Sequence, residues 1–263
     1  MEAKAAYAIP SMTAALEAVT SLDYTVITQA LGELTQCILD IGVILERMYE
    51  GCDPSVFYHR IRPFLAGSKN MVEAGLPNGV FYDEGNGEGE WWQLRGGSNG
   101  QSSLIQFFDL VLGIEHEHDG NTSPHPSVKA SAPSTRPLTF HEEVRDYMPG
   151  PHRRFLKYIR EKSPSIRSLA LHPAVTAEQQ QLRAAYSTAT ETLKLFREKH
   201  IKLVTMYIIL PSRKASANQN KERGLAASSN GQENEKMTGT GGTPLLPFLK
   251  QSRDETGAAG RVG

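Results

Sequence analysis

The stretch FREKHIKLVTMYIILP, residues 196 to 211, places a histidine inside an apolar helical pattern. Counted from His200 in steps of three and four, the positions on the same side include Phe196, Val204 and Tyr207. This spacing is that of one face of an α-helix. An imidazole among such neighbours loses free energy unless each ring nitrogen has a partner. His200 is therefore either satisfied by protein groups, the commoner case for an isolated core histidine, or bound to a ligand.

The composition describes a chain that folds but carries no excess of positive charge. Hydrophobic residues make up 39% of the 263 residues, and 28 Lys and Arg residues oppose 29 Asp and Glu residues for a net charge of -1. This balance argues against a protein that binds nucleic acid. Cys37 and Cys52 are too few for a disulfide framework. With neither a signal peptide nor an apolar run of about 20 residues, we expect a soluble, cytoplasmic protein without a membrane partner.

Apolar periodicity predicts an all-α fold, a helical bundle with long polar loops. Apolar residues spaced by three and four over residues 22–50 predict a long amphipathic helix that ends at Gly51. Residues 68–100 are dense in glycine and lack periodicity, which predicts a long ordered loop around Trp91 and Trp92. No run of alternating residues indicates a strand.

The segment QSSLIQFFDLVLGI, residues 101–114, is apolar on nearly every side and predicts a buried helix. Asp109 lies inside it. A buried carboxylate is costly unless it is paired, so we expect a cationic partner for Asp109, most naturally an arginine.

The chain is expected to form one domain. Residues 1–211 make up its helical body, with a polar, proline-rich insertion loop at about 115–139. Residues 212–236 have the composition of a disordered loop. Residues 237–250 predict a glycine-rich loop and a short helix of the same domain, and residues 251–263 predict a flexible tail.

Three histidines of the insertion loop, His116, His118 and His125, could bind a metal ion. They lack cysteine partners and the ordered spacing of a metal site. A metal site in this loop is therefore the weaker interpretation.

Two glycine-rich stretches suit a ligand but also suit a simple turn. RGGSNGQSS, Arg95 to Ser103, precedes a helix, where exposed N–H groups and the helix dipole favour an anion. It does not match a P-loop, since no Lys-Ser/Thr follows. GTGGT, Gly239 to Thr243, is either a mobile loop over a ligand or a turn before a short helix.

Phe57, Tyr58 and Arg62 lie within one short segment. They could flank a cavity for a ligand that has an aromatic ring and a carboxylate. The alternative, an ordinary arginine beside core aromatics, is favoured by the spacing alone.

Five colinear stretches resemble the large domain of indoleamine 2,3-dioxygenase, a haem enzyme that opens the indole ring of tryptophan. They are DPSVFYHRIRPFLAG, GGSNGQSSLIQFFDLVLGI, YMPGPHRRFL, FREKHIKLVTMYIILP and GTGGT. The resemblance implies haem b as cofactor, dioxygen as co-substrate and L-tryptophan or a related indoleamine as substrate. It implies N-formylkynurenine as product, a role in the kynurenine pathway towards NAD, and a monomer without a catalytic acid or base.

The resemblance also implies roles for individual residues. His200 would be the proximal ligand of the haem iron. Phe57 and Tyr58 would pack against the indole ring, and Arg62 would bind the substrate carboxylate. Thr240 would lie in the mobile loop that closes over the substrate.

The remaining implied residues lie around the haem. Gly97, Ser98 and Asn99 would line the cofactor, with Ser98 also near the substrate, although the family often has Ala at the position of Asn99. Arg197 would contact the cofactor, and Asp109 would brace Arg197. His152 matches a family histidine for which we expect a structural role.

One departure concerns the N-terminus. AIPSMTAALEAV, residues 8 to 19, resembles a segment that follows a substantial N-terminal part in family members. That part supplies distal pocket residues. We therefore expect a truncated chain, and two alternatives to an active dioxygenase stay open: an inactive haem-binding remnant and a helical interaction module.

Overall fold

The structure is a computed structural model that describes residues 1–69, 71–72, 75–117, 139–162, 166–217, 239–241 and 243–261. It confirms the all-α fold predicted from the periodicity. The α-helices of the described residues, in chain order, are α1 (Glu2–Ala5), α2 (Ala8–Ser21), α3 (Tyr24–Glu46), α4 (Pro54–Val56), α5 (Ser103–Val111), α6 (Phe140–Glu143), α7 (Gly150–Glu161), α8 (Ile166–Leu171), α9 (Ala177–Val204), α10 (Leu210–Ala217) and α11 (Leu245–Ala259).

Shorter turns extend several of these helices. A 3-10 turn, Arg47–Glu50, continues α3 as far as Gly51, which confirms the predicted end of the long helix. A π-helical segment, Phe57–Ile61, and a 3-10 turn, Arg62–Leu65, follow α4. A second π-helical segment, Thr205–Ile209, joins α9 to α10.

Helices α3 and α9 form the centre of the fold. The carboxylate of Asp23 caps α3 by accepting a hydrogen bond from the N–H of Val26 at 3.1 Å. A capping box between Thr176 and Gln179 begins α9. The apolar stripes of α3 and α9 pack together, with α2 against α3 and α11 against α9. The buried residues of the two stripes include Ile27, Leu31, Leu34, Ile38, Ile41, Leu182, Tyr186, Ala189 and Leu193.

One segment of the described chain, Tyr24–Gly51, is long and apolar enough to cross a membrane. The expectation that no stretch reaches this length was therefore wrong. Core helices pass the same test of length and composition. The stripe of α3 that includes Leu31 and Ile38 is buried against α2 and α9, which is the packing of a core helix.

Residues 80–92 form a β-hairpin where the sequence predicted part of a long ordered loop. Strand β1 (Val80–Gly85) pairs antiparallel with β2 (Glu88–Trp92). The prediction was wrong because most positions on both faces of the hairpin are exposed, so no apolar alternation marks the strands. The Asn86-Gly87 pair at the turn, with φ values of 56° and 79°, was the available signal.

Two predicted boundaries near the C-terminus were wrong. Helix α10 continues to Ala217, so the first residues of the stretch 212–236 are helical. Helix α11 continues to Ala259 and packs against α9, so residues 251–259 are not a flexible tail. The rest of the polar stretch, and most of the insertion loop with His118 and His125, lie outside the described residues.

Candidate functional site

His200 lies near the C-terminal end of α9, on a face with apolar neighbours. Phe196 and Val204, one turn away on either side, are each 7% exposed. The ring of His200 is partly exposed, and its Nε2 atom lies 2.7 Å from Nδ2 of Asn99. Loss of water around the ring and the positive charge of Arg197 lower the pKa of His200 to about 4. The imidazole is therefore neutral near pH 7, so one ring nitrogen carries a lone pair, which a metal could bind if it took the place of Asn99.

Arg197 lies one helical turn before His200 and is paired with Asp109. Its Nη2 atom is 2.5 Å from Oδ1 of Asp109, and its Nη1 atom donates a hydrogen bond of 3.0 Å to the carbonyl of Ser252. This pair confirms the arginine partner predicted for Asp109. The buried N–H at Nε of Arg197 has no acceptor among the described residues.

The second carboxylate oxygen of Asp109 belongs to a buried polar cluster that the sequence did not predict. Oδ2 of Asp109 lies 3.1 Å from Nε2 of His116, whose Nδ1 lies 2.5 Å from Oε2 of Glu255. The ring of His116 stacks on that of His141, with centroids 4.1 Å apart and planes 18° apart. We call these four residues the His116 cluster. Local sequence could not reveal it, because Glu255 is 139 residues away from His116.

The two histidines of the His116 cluster have opposite charge states. Burial alone would lower the pKa of His116, but Asp109 and Glu255 raise it to about 9. Burial and the neighbouring charge of His116 lower the pKa of His141 to about 3. Although burial opposes ionisation, Arg197 and His116 hold the pKa of the Asp109 carboxyl below its usual range. His116 is therefore a structural cation at neutral pH.

A cleft of about 710 Å³ opens beside the His116 cluster. Three arginines from different elements, Arg145, Arg160 and Arg167, line it together with His116 and His141. Acidic side chains on the same walls balance these cations. Among the described residues that line this cleft, Asp109 is the one to which the family resemblance gave a role.

The glycine-rich loop 95–102 is anchored by Arg95, which is buried. Its Nε atom donates a hydrogen bond of 2.8 Å to Oε1 of Glu143, and Nη1 donates to the carbonyl of Gly241. Lys69 also contacts Glu143, at 2.9 Å. Although burial opposes ionisation, Arg95 and Lys69 lower the pKa of Glu143 to about 2. This anchor was missed because Glu143 lies far along the sequence.

Three backbone segments, 65–67, 95–97 and 239–241, cross closely at this loop, and we call this contact the glycine crossing. The N–H of Gly96 donates to the carbonyl of Thr240 at 3.1 Å, and that of Gly97 donates to the carbonyl of Leu65 at 2.9 Å. A Cβ atom at Gly96 would lie 2.2 Å from the carbonyl oxygen of Leu65. Only glycine fits at that distance.

Ser98 and Thr240, both predicted site residues, meet at the glycine crossing. The hydroxyl of Thr240 donates to the carbonyl of Gly97 at 2.5 Å. The hydroxyl of Ser98 accepts a hydrogen bond of 3.2 Å from the N–H of Gly100. The structure therefore brings Gly97, Ser98, Thr240 and, through Asn99, His200 together.

The segment that carries Phe57, Tyr58 and Arg62 adjoins this group through its backbone, and it contacts the π-helical segment Thr205–Ile209 that follows α9. The ring of Phe57 meets that of Tyr207 edge-on, with centroids 5.7 Å apart. Tyr58 is buried, and the guanidinium of Arg62 lies 5.6 Å from its ring centroid. Burial lowers the pKa of Arg62, an effect that Tyr58 opposes. The 3-10 turn that begins at Arg62 ends at Leu65, in the glycine crossing.

His152 occupies a different place. It is exposed at the start of α7, and its Nδ1 atom lies 2.8 Å from the hydroxyl of Ser103 at the start of α5. This contact ties the ends of two helices together, and the structural role expected for His152 stays a prediction. Among the described residues, no group of three or more His, Cys, Asp or Glu side chains is arranged to hold a metal ion.

Comparison with known proteins identifies the family. The sequence model described as Indoleamine 2,3-dioxygenase matches residues 1–259. The chain belongs to the indoleamine 2,3-dioxygenase family.

Individual family members agree with this match. The chain is 38% identical to indoleamine 2,3-dioxygenase acdA of Aspergillus candidus over 97% of its own length and 56% of that protein. It is 37% identical to indoleamine 2,3-dioxygenase of Saccharomyces cerevisiae, covering 90% of this chain and 51% of the relative. It is also 37% identical to 6-hydroxytryptophan 2,3-dioxygenase fscD of Fusarium equiseti, covering 85% and 51%. The chain thus spans about half the length of the curated relatives it matches.

The residues around His200 fit the haem that membership of the indoleamine 2,3-dioxygenase family implies. The neutral imidazole offers a lone pair to iron. The buried, unaccepted N–H of Arg197, one turn away, suits a carboxylate such as a haem propionate. Gly97 is exposed and carries no side chain that would obstruct a flat macrocycle.

Proposed function

We propose that this chain is the haem-binding part of a dioxygenase that opens the indole ring of L-tryptophan or a related indoleamine. The observation that carries the proposal is the neutral His200, which faces the glycine-rich loop one helical turn from the buried Arg197–Asp109 pair. Family membership supports the same class of reaction.

His200 would bind the iron of haem b through Nε2, and Arg197 would bind a propionate. Asp109 would hold Arg197 in place through their short ion pair. When bound, the haem supplies the activation of dioxygen, both atoms of which end in the N-formylkynurenine product. The contribution of the chain is to orient the reactants and to exclude water.

Phe57, Tyr58 and Arg62 would recognise the substrate. An indole ring suits packing against the aromatic side chains, and a carboxylate suits the guanidinium. A carboxylate site would serve tryptophan and ring-substituted tryptophans equally. We include ring-substituted tryptophans among the proposed substrates because one relative is named for 6-hydroxytryptophan. Ser98 and Thr240 would then hold the glycine-rich loop 95–102 and the segment 239–241 against the ligand.

A second candidate is a haem-binding remnant without turnover. Family membership does not favour it over the dioxygenase, and the measurement of product formation given below separates the two.

The test is a haemin titration of the 263-residue protein, followed at the Soret band. The controls are His200→Ala and His172→Ala, since His172 is exposed beyond the end of α8. We expect saturable, about one-to-one binding by the wild type and by His172→Ala. We expect His200→Ala to bind haemin more weakly by over 100-fold, beyond the about 10–100-fold effect of changing a residue that only orients a metal ligand.

Equal Soret spectra in all three proteins, or no uptake by the wild type, would overturn the proposal. A second measurement separates turnover from simple binding. The haem-loaded, reduced protein is mixed with L-tryptophan and dioxygen, and N-formylkynurenine is measured. Product formation that His200→Ala abolishes identifies the dioxygenase, whereas haem uptake without product identifies the remnant.

A further inference from the structure

The cleft beside the His116 cluster is a cavity that the proposed reaction does not use. Its volume of about 710 Å³ lies within the range of about 300–1,000 Å³ that is typical of sites for small molecules. Among the described residues that line it, none is His200 or a residue proposed to bind the substrate. The cleft is therefore a second place in the molecule where a ligand could bind.

Arg145 enters the cleft from the 3-10 turn Val144–Tyr147. Its Nε atom donates a hydrogen bond of 2.6 Å to Oε1 of Gln106. Gln106 is buried, and its own amide donates to the carbonyls of Gly100 and His141 at 3.0 and 2.9 Å. The guanidinium is thus oriented by a neutral side chain that is itself fixed. Within the described residues, no hydrogen bond of its two Nη atoms is recorded.

Arg167, near the start of α8, lines the same cleft. Its Nη1 atom donates a hydrogen bond of 3.3 Å to the carbonyl of Gly113. Its Nε–H is buried and has no acceptor among the described residues. A buried donor without an acceptor costs free energy. An acceptor placed in the cleft, with a small rotation of the guanidinium, would satisfy this donor.

Two buried or half-buried carboxylates of the cleft are committed to other cations. Asp109 pairs with Arg197 and with His116. Glu142 pairs with Arg160, with Oε1 of the carboxylate 2.8 Å from Nη1 of the guanidinium. The charges of these two acids are therefore used within the protein.

The remaining acidic residues of the cleft, Glu115 and Glu117, are exposed to water. In the part of the chain that the structure describes, no ion pair joins a carboxylate to Arg145 or Arg167. The acidic and basic side chains of the cleft balance as a whole, but these two arginines have only neutral partners.

The electrostatics at Arg145 favour an added anion. Burial and the neighbouring charge of Arg160 lower the pKa of Arg145, although Glu142 and Asp109 oppose this effect. A guanidinium stays protonated in proteins, so Arg145 carries its charge close to a second cation. An anion between the arginines would offset this repulsion.

Two guanidinium groups suit a ligand with two negative charges. A phosphate monoester carries about −1.5 to −2 charges at pH 7 and offers three acceptor oxygens, and arginine binds such groups through paired N–H donors. The cleft is larger than a phosphate, so the ligand would also carry an organic body. Apolar side chains that could contact such a body line the cleft: Leu16, Leu110, Ile114, Ile159 and Leu171.

We propose that this cleft binds a small phosphate monoester, whose phosphate is held by Arg145 and Arg167 and whose organic body packs on the apolar lining residues. The inference goes beyond the proposed function, because it concerns a different cavity and needs no haem.

The test is a calorimetric titration of the 263-residue protein with n-butyl phosphate, in a phosphate-free buffer at about pH 7.5. We expect saturable, about one-to-one binding. Two comparison ligands separate the parts of the proposal: n-pentanoate has a similar chain with a single charge, and inorganic phosphate lacks the chain. Each should bind at least about 10-fold more weakly, the equivalent of one charge-assisted hydrogen bond or of two buried methylene groups.

Variants then test the two arginines. Arg145→Gln and Arg167→Gln should each weaken binding of n-butyl phosphate by about 10–100-fold. The matched control is Arg153→Gln, which should bind like the wild type, because the side chain of Arg153 is 50% exposed and pairs with Asp146 at the surface. The proposal is overturned by a wild type that does not bind, by equal affinities in all four proteins, or by a comparison ligand that binds as tightly as n-butyl phosphate.

A second readout needs no variant and so does not depend on their folding. In the wild type labelled with nitrogen-15, the Nε–H resonances of Arg145 and Arg167 should shift when n-butyl phosphate is added, whereas that of Arg153 should not. Unshifted resonances at both arginines would overturn the site.

The outcomes separate this inference from the proposed function. His200-dependent haem uptake without binding of n-butyl phosphate would overturn the phosphate site alone. Binding of n-butyl phosphate that depends on Arg145 and Arg167, without haem uptake, would support the phosphate site and overturn the proposed function.

Discussion

Two histidines of this protein differ in charge because their partners differ. Nε2 of His200 faces the neutral amide of Asn99, and its pKa falls to about 4. His116 lies between the carboxylates of Asp109 and Glu255, and its pKa rises to about 9. Loss of water lowers the pKa of both rings, and only at His116 do neighbouring carboxylates reverse that effect.

The two environments are neighbours. Arg197, one turn before His200, shares Asp109 with His116. Asp109 pairs with both cations, and the positive charge of Arg197 helps to lower the pKa of His200. The environments of the two histidines thus share one acidic side chain.

The largest expected effect comes from removing the carboxylate that joins both environments. Asp109→Asn leaves the buried charges of Arg197 and His116 without their shared counter-charge, and should cost about 3–5 kcal/mol of unfolding free energy. Urea unfolding measures this loss. Asp146→Asn is the control, since its side chain is 70% exposed, and it should change stability by at most about 0.5 kcal/mol. Equal losses in both variants would contradict the central role of Asp109.

The next effect depends on pH and sharpens the contrast between the histidines. The folded pKa of His116 lies above its unfolded value, so its contribution is complete below about pH 6.5 and is lost as pH rises through about 9. Between pH 7 and pH 10, the wild type should lose about 2–3 kcal/mol relative to His116→Gln.

Urea unfolding across this pH range measures the difference. The control is His172→Gln, which should follow the wild-type curve because His172 is exposed. Parallel curves for the wild type and His116→Gln would show that His116 does not ionise as described.

A smaller loss is expected when one of the two carboxylates of His116 is neutralised. Glu255→Gln keeps the shape of the side chain, and Asp109 still faces the ring, so about 1 kcal/mol of stability should be lost. The pKa of His116, followed by NMR titration, should fall but stay above its ordinary value. A fall to the ordinary value would mean that Glu255 alone sets the charge.

The smallest effect on stability is expected for His200. In the haem-free protein near pH 7, His200→Ala removes a neutral, partly exposed ring with one recorded hydrogen bond, and should cost less than about 1 kcal/mol. Urea unfolding beside His116→Gln measures the contrast. An equally large loss in both variants would make His200 a structural core histidine, the alternative that the sequence left open.

Periodicity and the cost of buried charge predicted much of the fold. The long helix that ends at Gly51 follows from apolar spacing, and the Asp109–Arg197 pair follows from a carboxylate inside an apolar helix. The sequence pattern predicted only that the partner of Asp109 is an arginine, and the family resemblance indicated Arg197. Both predictions rest on local sequence patterns with a large effect on the free energy of folding: an apolar stripe that must be buried, and a buried charge that must be paired.

The missed features depend on contacts far apart in sequence or on small residues. The end of α11 reads as a flexible, glycine-rich tail, yet its small residues pack tightly against α9. A Cβ atom at Gly260 would lie 2.2 Å from the hydroxyl oxygen of Thr190. The link between His116 and Glu255, like that between Arg95 and Glu143, joins residues whose proximity no sequence spacing reveals.

The glycine crossing has a consequence for ligand affinity. Thr240 and Gly96 share a backbone hydrogen bond, and the hydroxyl of Thr240 bonds to Gly97, so segments 95–97 and 239–241 order together. A ligand that orders one segment lowers the entropy cost of ordering the other. If haem contacts the first segment and substrate the second, each raises the affinity for the other, and linkage makes the two factors equal. In that case, the two hydrogen bonds between the segments would carry the cooperativity between the two ligands.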